Sequence, residues 1–195
     1  SDIFICKLDA SGNYQWAKRF GGNNFDSANN IVTDASGGVY TTASFQATAD
    51  FGAGSGISNL TSAGDYDFVI CKLDNSGNYV WVKQIGGTGG DFGSGITVDA
   101  SGNVYTTGGF SGTVDFDPGA GTANLTRQTV ANGLFVTKLD IDGNYVWAQK
   151  IDGATISEGI IRSLAITSSS SGIYITGYLN GGMDVNPGPA SNVLT

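Results

Sequence analysis

Asp115-Phe116-Asp117-Pro118-Gly119 sets two carboxylates two residues apart among turn formers, and Asp184-Val185-Asn186-Pro187-Gly188 repeats the pattern with an amide second. Hard cations such as Ca2+ take several oxygen ligands, and alternating carboxylates in a tight loop can supply them. Asp115, Asp117, Asp184 and Asn186 are therefore the candidate metal ligands, with Ca2+ the candidate ion. A further copy, Asp50-Phe51-Gly52, keeps only the first carboxylate. The competing reading is an Asx-type turn, in which the Asp side chain accepts backbone N–H groups of its own loop. No EF-hand loop, with its glutamate at the twelfth position, is present.

Other chemistry is narrowly bounded. The chain has no His, which removes Ser-His-Asp and Cys-His arrangements and His-ligated metals. A paired-carboxylate hydrolase needs one carboxyl with a raised pKa in an enclosed cleft. Glu158 is the only Glu, and nearly all of the sixteen Asp recur at turn positions. No catalytic residues and no cofactor are assigned, and the chain is expected not to be an enzyme. Asp9-Ala10-Ser11-Gly12, Asp74-Asn75-Ser76-Gly77 and Asp140-Ile141-Asp142-Gly143 are read as hairpin tips. Trp16, Trp81 and Trp147 are read as rings filling space between sheets rather than as a sugar-stacking row. Cys6 and Cys71 occupy one repeat position, where Thr137 stands in the third copy; equivalent positions in neighbouring units rarely approach closely enough for a disulfide.

The elements that must position these residues follow from a period of about 65 residues. Ile5-Cys6-Lys7-Leu8-Asp9 leads to Trp16, Ile70-Cys71-Lys72-Leu73-Asp74 to Trp81, and Val136-Thr137-Lys138-Leu139-Asp140 to Trp147. Repeats of this size bury their apolar faces on one another. Within a unit, Gly95–Asp99 and Val104–Gly108 read as a hairpin, closed by a turn whose Gly and Asn supply left-handed backbone. The Lys-Leu-Asp phrase is a second hairpin with both faces partly apolar, as in a sheet packed on two sides. Between the hairpins runs a loop, 49–61 and 114–126. The interval from Asp50 to Asp115 is 65 and from Asp115 to Asp184 is 69, and the four extra residues are assigned to a longer Ser168–Gly172 turn.

Four antiparallel strands per unit make a β-propeller blade. The expected fold is all-β: three repeats, as a fragment of a propeller or one completed by oligomerisation. The expected limits are 1–20 for strands three and four of a split blade, 21–86 and 87–152 for two blades, and 153–195 for strands one and two of the split blade with its loop. Joining the ends would complete the third blade, but propellers have four to eight. The start at Ser1 rather than Met reads as a processed or excised piece.

A net charge of −8 speaks against nucleic acid, and no apolar run approaches the roughly 20 residues of a membrane span. At the Lys-Leu-Asp-x-x-Gly-Asn-Tyr-x-Trp and Val-Asp-Ala-Ser-Gly-Asn-Val-Tyr hairpins the chain resembles the bacterial seven-bladed β-propeller repeat (SBBP) family. The Val-Asp-Phe-Asp-Pro-Gly loop is similar to a variant in large secreted proteins of Bacteroidota, which often carry a type IX secretion sorting domain. The resemblance implies a secreted or cell-surface repeat protein and no particular activity. It also makes Asp26-Ser27-Ala28 a candidate O-glycosylation motif, with Ser27 the acceptor. The expected partners are other blades or copies of the chain, and glycans or surface proteins. The expected role is adhesion, binding or assembly; the rivals are a carbohydrate-binding propeller, using aromatics such as Phe51, Phe116 and Tyr178, or a structural subunit joining copies through open blade edges.

Overall fold

The computed structural model describes residues 1–52, 58–127, 133–151, 165–177, 183–187 and 192–194. Among these every regular element is a strand, and every strand pairing is antiparallel.

A half-blade opens the chain, β1 (Ile3–Leu8) and β2 (Tyr14–Gly22). The next blade is β3 (Asp26–Thr33) and β4 (Val39–Phe45), then the short β5 (Thr48–Asp50) and β6 (Asn59–Thr61), then β7 (Asp67–Leu73) and β8 (Tyr79–Gly87). The following one repeats it as β9 (Phe92–Val98), β10 (Val104–Phe110), β11 (Thr113–Asp115), β12 (Asn124–Thr126), β13 (Gly133–Leu139) and β14 (Tyr145–Ile151). A final hairpin, β15 (Ala165–Ser169) and β16 (Gly172–Thr176), precedes β17 (Met183–Asp184) and β18 (Val193–Leu194). Spatial order is β3-β4-β7-β8 in one blade and β9-β10-β13-β14 in the next.

The segments expected as loops, 49–61 and 114–126, are instead small hairpins that cross to the preceding blade. β5 pairs with the end of β2 at Gly21↔Asp50 and Gly22↔Ala49, and β11 pairs with the end of β8 at Gly86↔Asp115 and Gly87↔Val114. A Cβ at Gly22 would lie 2.0 Å from the Thr48 carbonyl oxygen, and one at Gly87 2.3 Å from that of Thr113. The second glycine of the pair closing β2 and β8 is thus required by the approach of a neighbour's backbone, while Gly21 and Gly86 lie against the carboxylates of Asp2 and Asp26 and of Asp67.

The longer 168–172 turn is also corrected. Ser169 pairs with Gly172, so β15 and β16 are joined by the two residues Ser170 and Ser171 alone. The extra length of the last repeat therefore lies upstream of Ala165, outside the described residues.

The core is a stack of layers between sheets. Alternation along β7 sends Val69, Cys71 and Leu73 to one layer with Ile3, Ile5, Phe45 and Phe51, and sends Phe68 and Ile70 to the next with Phe110, Phe116 and Phe135. All seven positions of β7 except Lys72 are buried. A third layer holds Tyr105, Val136 and Ile166, with Trp147, Ile173 and Ile175 partly buried against it.

Candidate functional site

The carboxylates expected to bind a cation are held by their own loops. Asp115 Oδ1 accepts the backbone N–H groups of Asp117 at 3.0 Å and Ala123 at 2.8 Å. Asp50 Oδ1 does the same for Gly52 and Ser58, and Asp184 Oδ1 for Asn186 and Asn192. The offsets, two and eight residues on, are identical in the three copies. The Asp50 copy closes this way with Gly52 in the second place, so the geometry does not call on a second carboxylate. Asp117 Oδ1 accepts the Gly119 N–H at 2.8 Å. This is the Asx-turn chemistry. Asp115 and Asp117 do share a cleft of about 410 Å3 with Asp67, Lys83 and Gln84. Among the described residues no three His, Cys, Asp or Glu side chains converge as a metal site.

The hairpin tips work alike. Asp74 Oδ1 accepts the N–H groups of Ser76 and Asn78, and Oδ2 accepts the Asn78 side-chain amide; Asp9 and Asp140 repeat this in their own tips. The backbone N–H of Asn78, then its side-chain amide, hold the Asp74 carboxyl below its ordinary value, and Asn13 does so for Asp9.

A different set of acids was not singled out from the sequence. Asp26, Asp67 and Asp91 are all buried. Asp26 Oδ2 accepts the Gly22 N–H and Asp91 Oδ2 that of Gly87, so each pins the Gly-Gly end of an outer strand. Asp91 Oδ1 also accepts the Ser111 N–H at 3.1 Å. Burial pushes the Asp91 carboxyl up to about 6 against the pull of these donors, and the Asp67 charge adds to the rise. Burial likewise raises Asp26 and Asp67. The available signal is the spacing Gly-Gly-x-x-x-Asp at Gly21–Asp26 and Gly86–Asp91. Glu158 stands at the same distance from Gly153, outside the described residues. A raised carboxyl is one mark of a general acid, and Asp91 sits instead as a fully buried acceptor of two backbone donors.

The tryptophans form a series of contacts between units. Trp16 Nε1 donates to the Asn75 carbonyl at 3.2 Å, and Trp81 Nε1 to the Ile141 carbonyl at 3.2 Å. Lys7 Nζ joins Trp16 on the Asn75 carbonyl at 3.0 Å and also reaches Asn75 Oδ1, while Lys72 Nζ joins Trp81 on Ile141 at 3.3 Å. Each indole lies under the next tip, and a Cβ at Gly77 (φ 78°) would come 2.8 Å from the Trp16 ring. The space-filling reading of these rings is correct for Trp16 and Trp81, with the addition of a directed hydrogen bond.

The proposed sugar-stacking aromatics are placed otherwise. Phe51 is 1% exposed and Phe116 fully buried, so neither presents a face to a ligand; Tyr178 lies outside the described residues. Ser27 is half-buried in β3 opposite Ser44, and Asp26 beside it is buried. Cys71 is buried and Cys6 exposed, both as free thiols. No helix of the described residues is long and apolar enough to cross a membrane.

Two comparisons agree with this architecture. Residues 80–108, covering most of β8, then β9 and most of β10, match the SBBP β-propeller repeat family. The chain is also 26% identical over 193 residues to an uncharacterized WD repeat-containing protein of Acanthamoeba polyphaga mimivirus, covering 85% of this chain and 13% of that protein. Together with the antiparallel four-stranded units, these likenesses fit a propeller-type fold. Propellers host many unrelated functions, so the fold itself carries no activity.

Proposed function

We propose that the chain is a non-enzymatic propeller repeat module, secreted or displayed on a cell surface, that presents its turns and crossing hairpins for adhesion, binding or extracellular assembly. The carrying observation is that the recurring carboxylates of the three Asp loops and three hairpin tips are held by backbone N–H groups of their own turns. Such carboxylates shape a surface rather than attack or protonate a substrate. The net charge of −8 suits a soluble module outside the cell. The likeness of the Asp-Phe-Asp-Pro-Gly loop to secreted Bacteroidota repeats favours export by the type IX route.

Two measurements test this reading. The purified chain assayed against chromogenic glycosides, esters and phosphate esters should give no turnover above buffer. Turnover that disappears in Asp67→Asn or Asp91→Asn would overturn the non-enzymatic reading. Beads coated with the chain should be retained on glycan or matrix-protein surfaces, and retention no better than that of uncoated beads would remove the adhesive role.

A further inference from the structure

One acidic position of the repeat is treated differently in each unit. In the first, Asp2 is answered by Arg19, whose Nε donates to Asp2 Oδ2 at 2.8 Å and whose guanidinium completes the ion pair. One period on, Asp67 and Gln84 occupy those two places. Gln84 Nε2 donates to Asp67 Oδ2 at 2.6 Å and to the Thr61 carbonyl at 2.8 Å, so a hydrogen bond is kept and the positive charge is gone. In the third unit Gly133 stands opposite Phe110, where Asp67 stands opposite Phe45, so there the carboxylate itself is missing.

Asp67 is left with an unanswered charge. It is 1% exposed, and its Oδ1 meets no hydrogen-bond donor among the described residues. The carboxyl rests against Gly86, where a Cβ would collide with it, and both residues line the cleft of about 410 Å3 that also holds Asp115 and Asp117. The walls add to the imbalance. At the corresponding positions the first unit has Lys18 and Arg19 with Asp2 and Asp50, two cations against two acids and a net charge of zero. The second has Lys83 with Asp67, Asp115 and Asp117, one cation against three acids and a net of −2. Lys83 is moreover drawn toward the following tip, its stem lying against Gly143. Leu60, Val82 and Pro118 give the same cleft an apolar wall. Its elements are β6, β7, β8 and β11, each with described strands before and after it.

We propose that this cleft binds an alkylguanidinium group, as an arginine side chain carries, which displaces the Gln84 amide and takes on Asp67 the place that Arg19 takes on Asp2. A guanidinium is planar and offers parallel donors that match both oxygens of one carboxylate, so Oδ1 is answered together with Oδ2. The Thr61 carbonyl, released by Gln84, accepts a further N–H of the ligand. Leu60, Val82 and Pro118 suit the methylenes of its stem, as long cationic side chains lay their stems on apolar surface. Asp115 and Asp117 add charge attraction without giving up the backbone N–H groups they hold. A hard metal ion is the poorer fit, since it wants several converging oxygens and among the described residues no three acids converge. This deepens the binding reading above and rests on it.

Two probes titrated into the 195-residue chain test this: N-acetylarginine methylamide, standing for an arginine in a protein, and agmatine, standing for a small free guanidine. The readouts are the Gln84 side-chain amide resonances and the backbone N–H of Ala63, which donates to Asp67 Oδ2 at 3.1 Å. A dissociation constant on the order of 1 mM is expected for one such group, and the tighter probe names the source. N-acetyllysine methylamide should bind about tenfold more weakly, because an ammonium has no fork. Asp67→Asn should weaken arginine binding about tenfold or more by removing the charged acceptor. Gln84→Arg gives the second unit the residue the first already carries, so it should fold, raise the melting temperature and abolish binding. Asp117→Asn keeps the turn, since Asn186 holds the same place in the third copy, and should weaken binding about twofold through lost charge alone. No shift at Ala63 or Gln84 with either guanidinium probe, equal binding of the lysine probe, or undiminished binding in Gln84→Arg would overturn the proposal. Such a failure leaves the turnover and bead-retention results untouched, and their failure leaves the titration untouched.

Discussion

Trp16 Nε1 and the Asn75 carbonyl oxygen, 59 residues apart in sequence, are 3.2 Å apart in space, and Trp81 with Ile141 reproduces the pair one unit later. The indole is therefore a hydrogen-bonding wedge between sheets. Trp81→Phe keeps most of the packing and should cost about 1 kcal/mol, the usual net worth of one hydrogen bond. Trp81→Ala adds a cavity and should cost about 3 kcal/mol. Asn75→Ala leaves the accepting carbonyl in place and should cost less than either. Urea denaturation of the three variants checks the order; an Asn75→Ala loss equal to that of Trp81→Ala would contradict it.

Gly87→Ala should separate β11 from β8, because the added carbon would stand 2.3 Å from the Thr113 carbonyl oxygen. The expected cost is about 2 kcal/mol, in the range of core overpacking. Gly112 has a φ of 70° with nothing within 4 Å of its Cβ position, so Gly112→Ala carries only the left-handed backbone penalty of about 1 kcal/mol. Thermal melts should rank Gly87→Ala below Gly112→Ala. Hydrogen exchange should show the loss of protection at Val114 and Asp115 in Gly87→Ala alone.

Stability should rise on mild acidification and then fall. Asp91 titrates near 6 in the folded chain against an ordinary 3.8, so between those values the folded state binds more protons and stability increases as pH drops. Asp26 and Asp67, raised by burial, act in the same direction. Asp9 and Asp74 are lowered by hydrogen bonds to Asn13 and Asn78, so what they contribute is present above 3.8 and is lost as pH falls below it. The melting temperature should therefore peak between about pH 4 and 6. Asp91→Asn should flatten the rise and lower stability at pH 7, since an amide cannot accept from both the Gly87 and Ser111 N–H groups.

Isothermal titration with Ca2+ should give no heat, and EDTA should leave the melting temperature unchanged, because Asp115 Oδ1 already serves two backbone donors. Asp115→Ala should instead cost about 1–2 kcal/mol by orphaning those two N–H groups. A calcium-dependent rise in melting temperature that Asp115→Ala abolishes would reverse this assignment.

The blades were legible in the sequence wherever local chemistry determines structure. Val104-Tyr105-Thr106-Thr107 is wholly β-branched and aromatic and follows the Asp99–Asn103 turn, so its strand and turn follow from local propensity. The crossing hairpins were not legible. β5 and β6 are three residues each, and β5 finds its second partner at the end of β2, more than two dozen residues earlier. Phe51 and Phe116 read as ligand-facing aromatics because a Phe following Asp in a turn-forming stretch reads as loop, whereas both rings are buried in the core layers. Asp67 and Asp91 were passed over for a related reason: nothing near an Asp in sequence reports that it will be buried. For Asp91, as for Asp26, only the Gly-Gly-x-x-x-Asp spacing hinted at the role, and its meaning depends on a pairing between units; Asp67 has no such spacing.

The directed polar contacts at each junction in this molecule fall mostly on main chain: a carbonyl under an indole, and a neighbour's strand laid on Gly22 or Gly87. A unit duplicated or deleted between two others would meet the same polar contacts on both sides. Copy number can thus drift in such a gene while every encoded joint stays compatible, so length is the property of this architecture that evolution can most readily change.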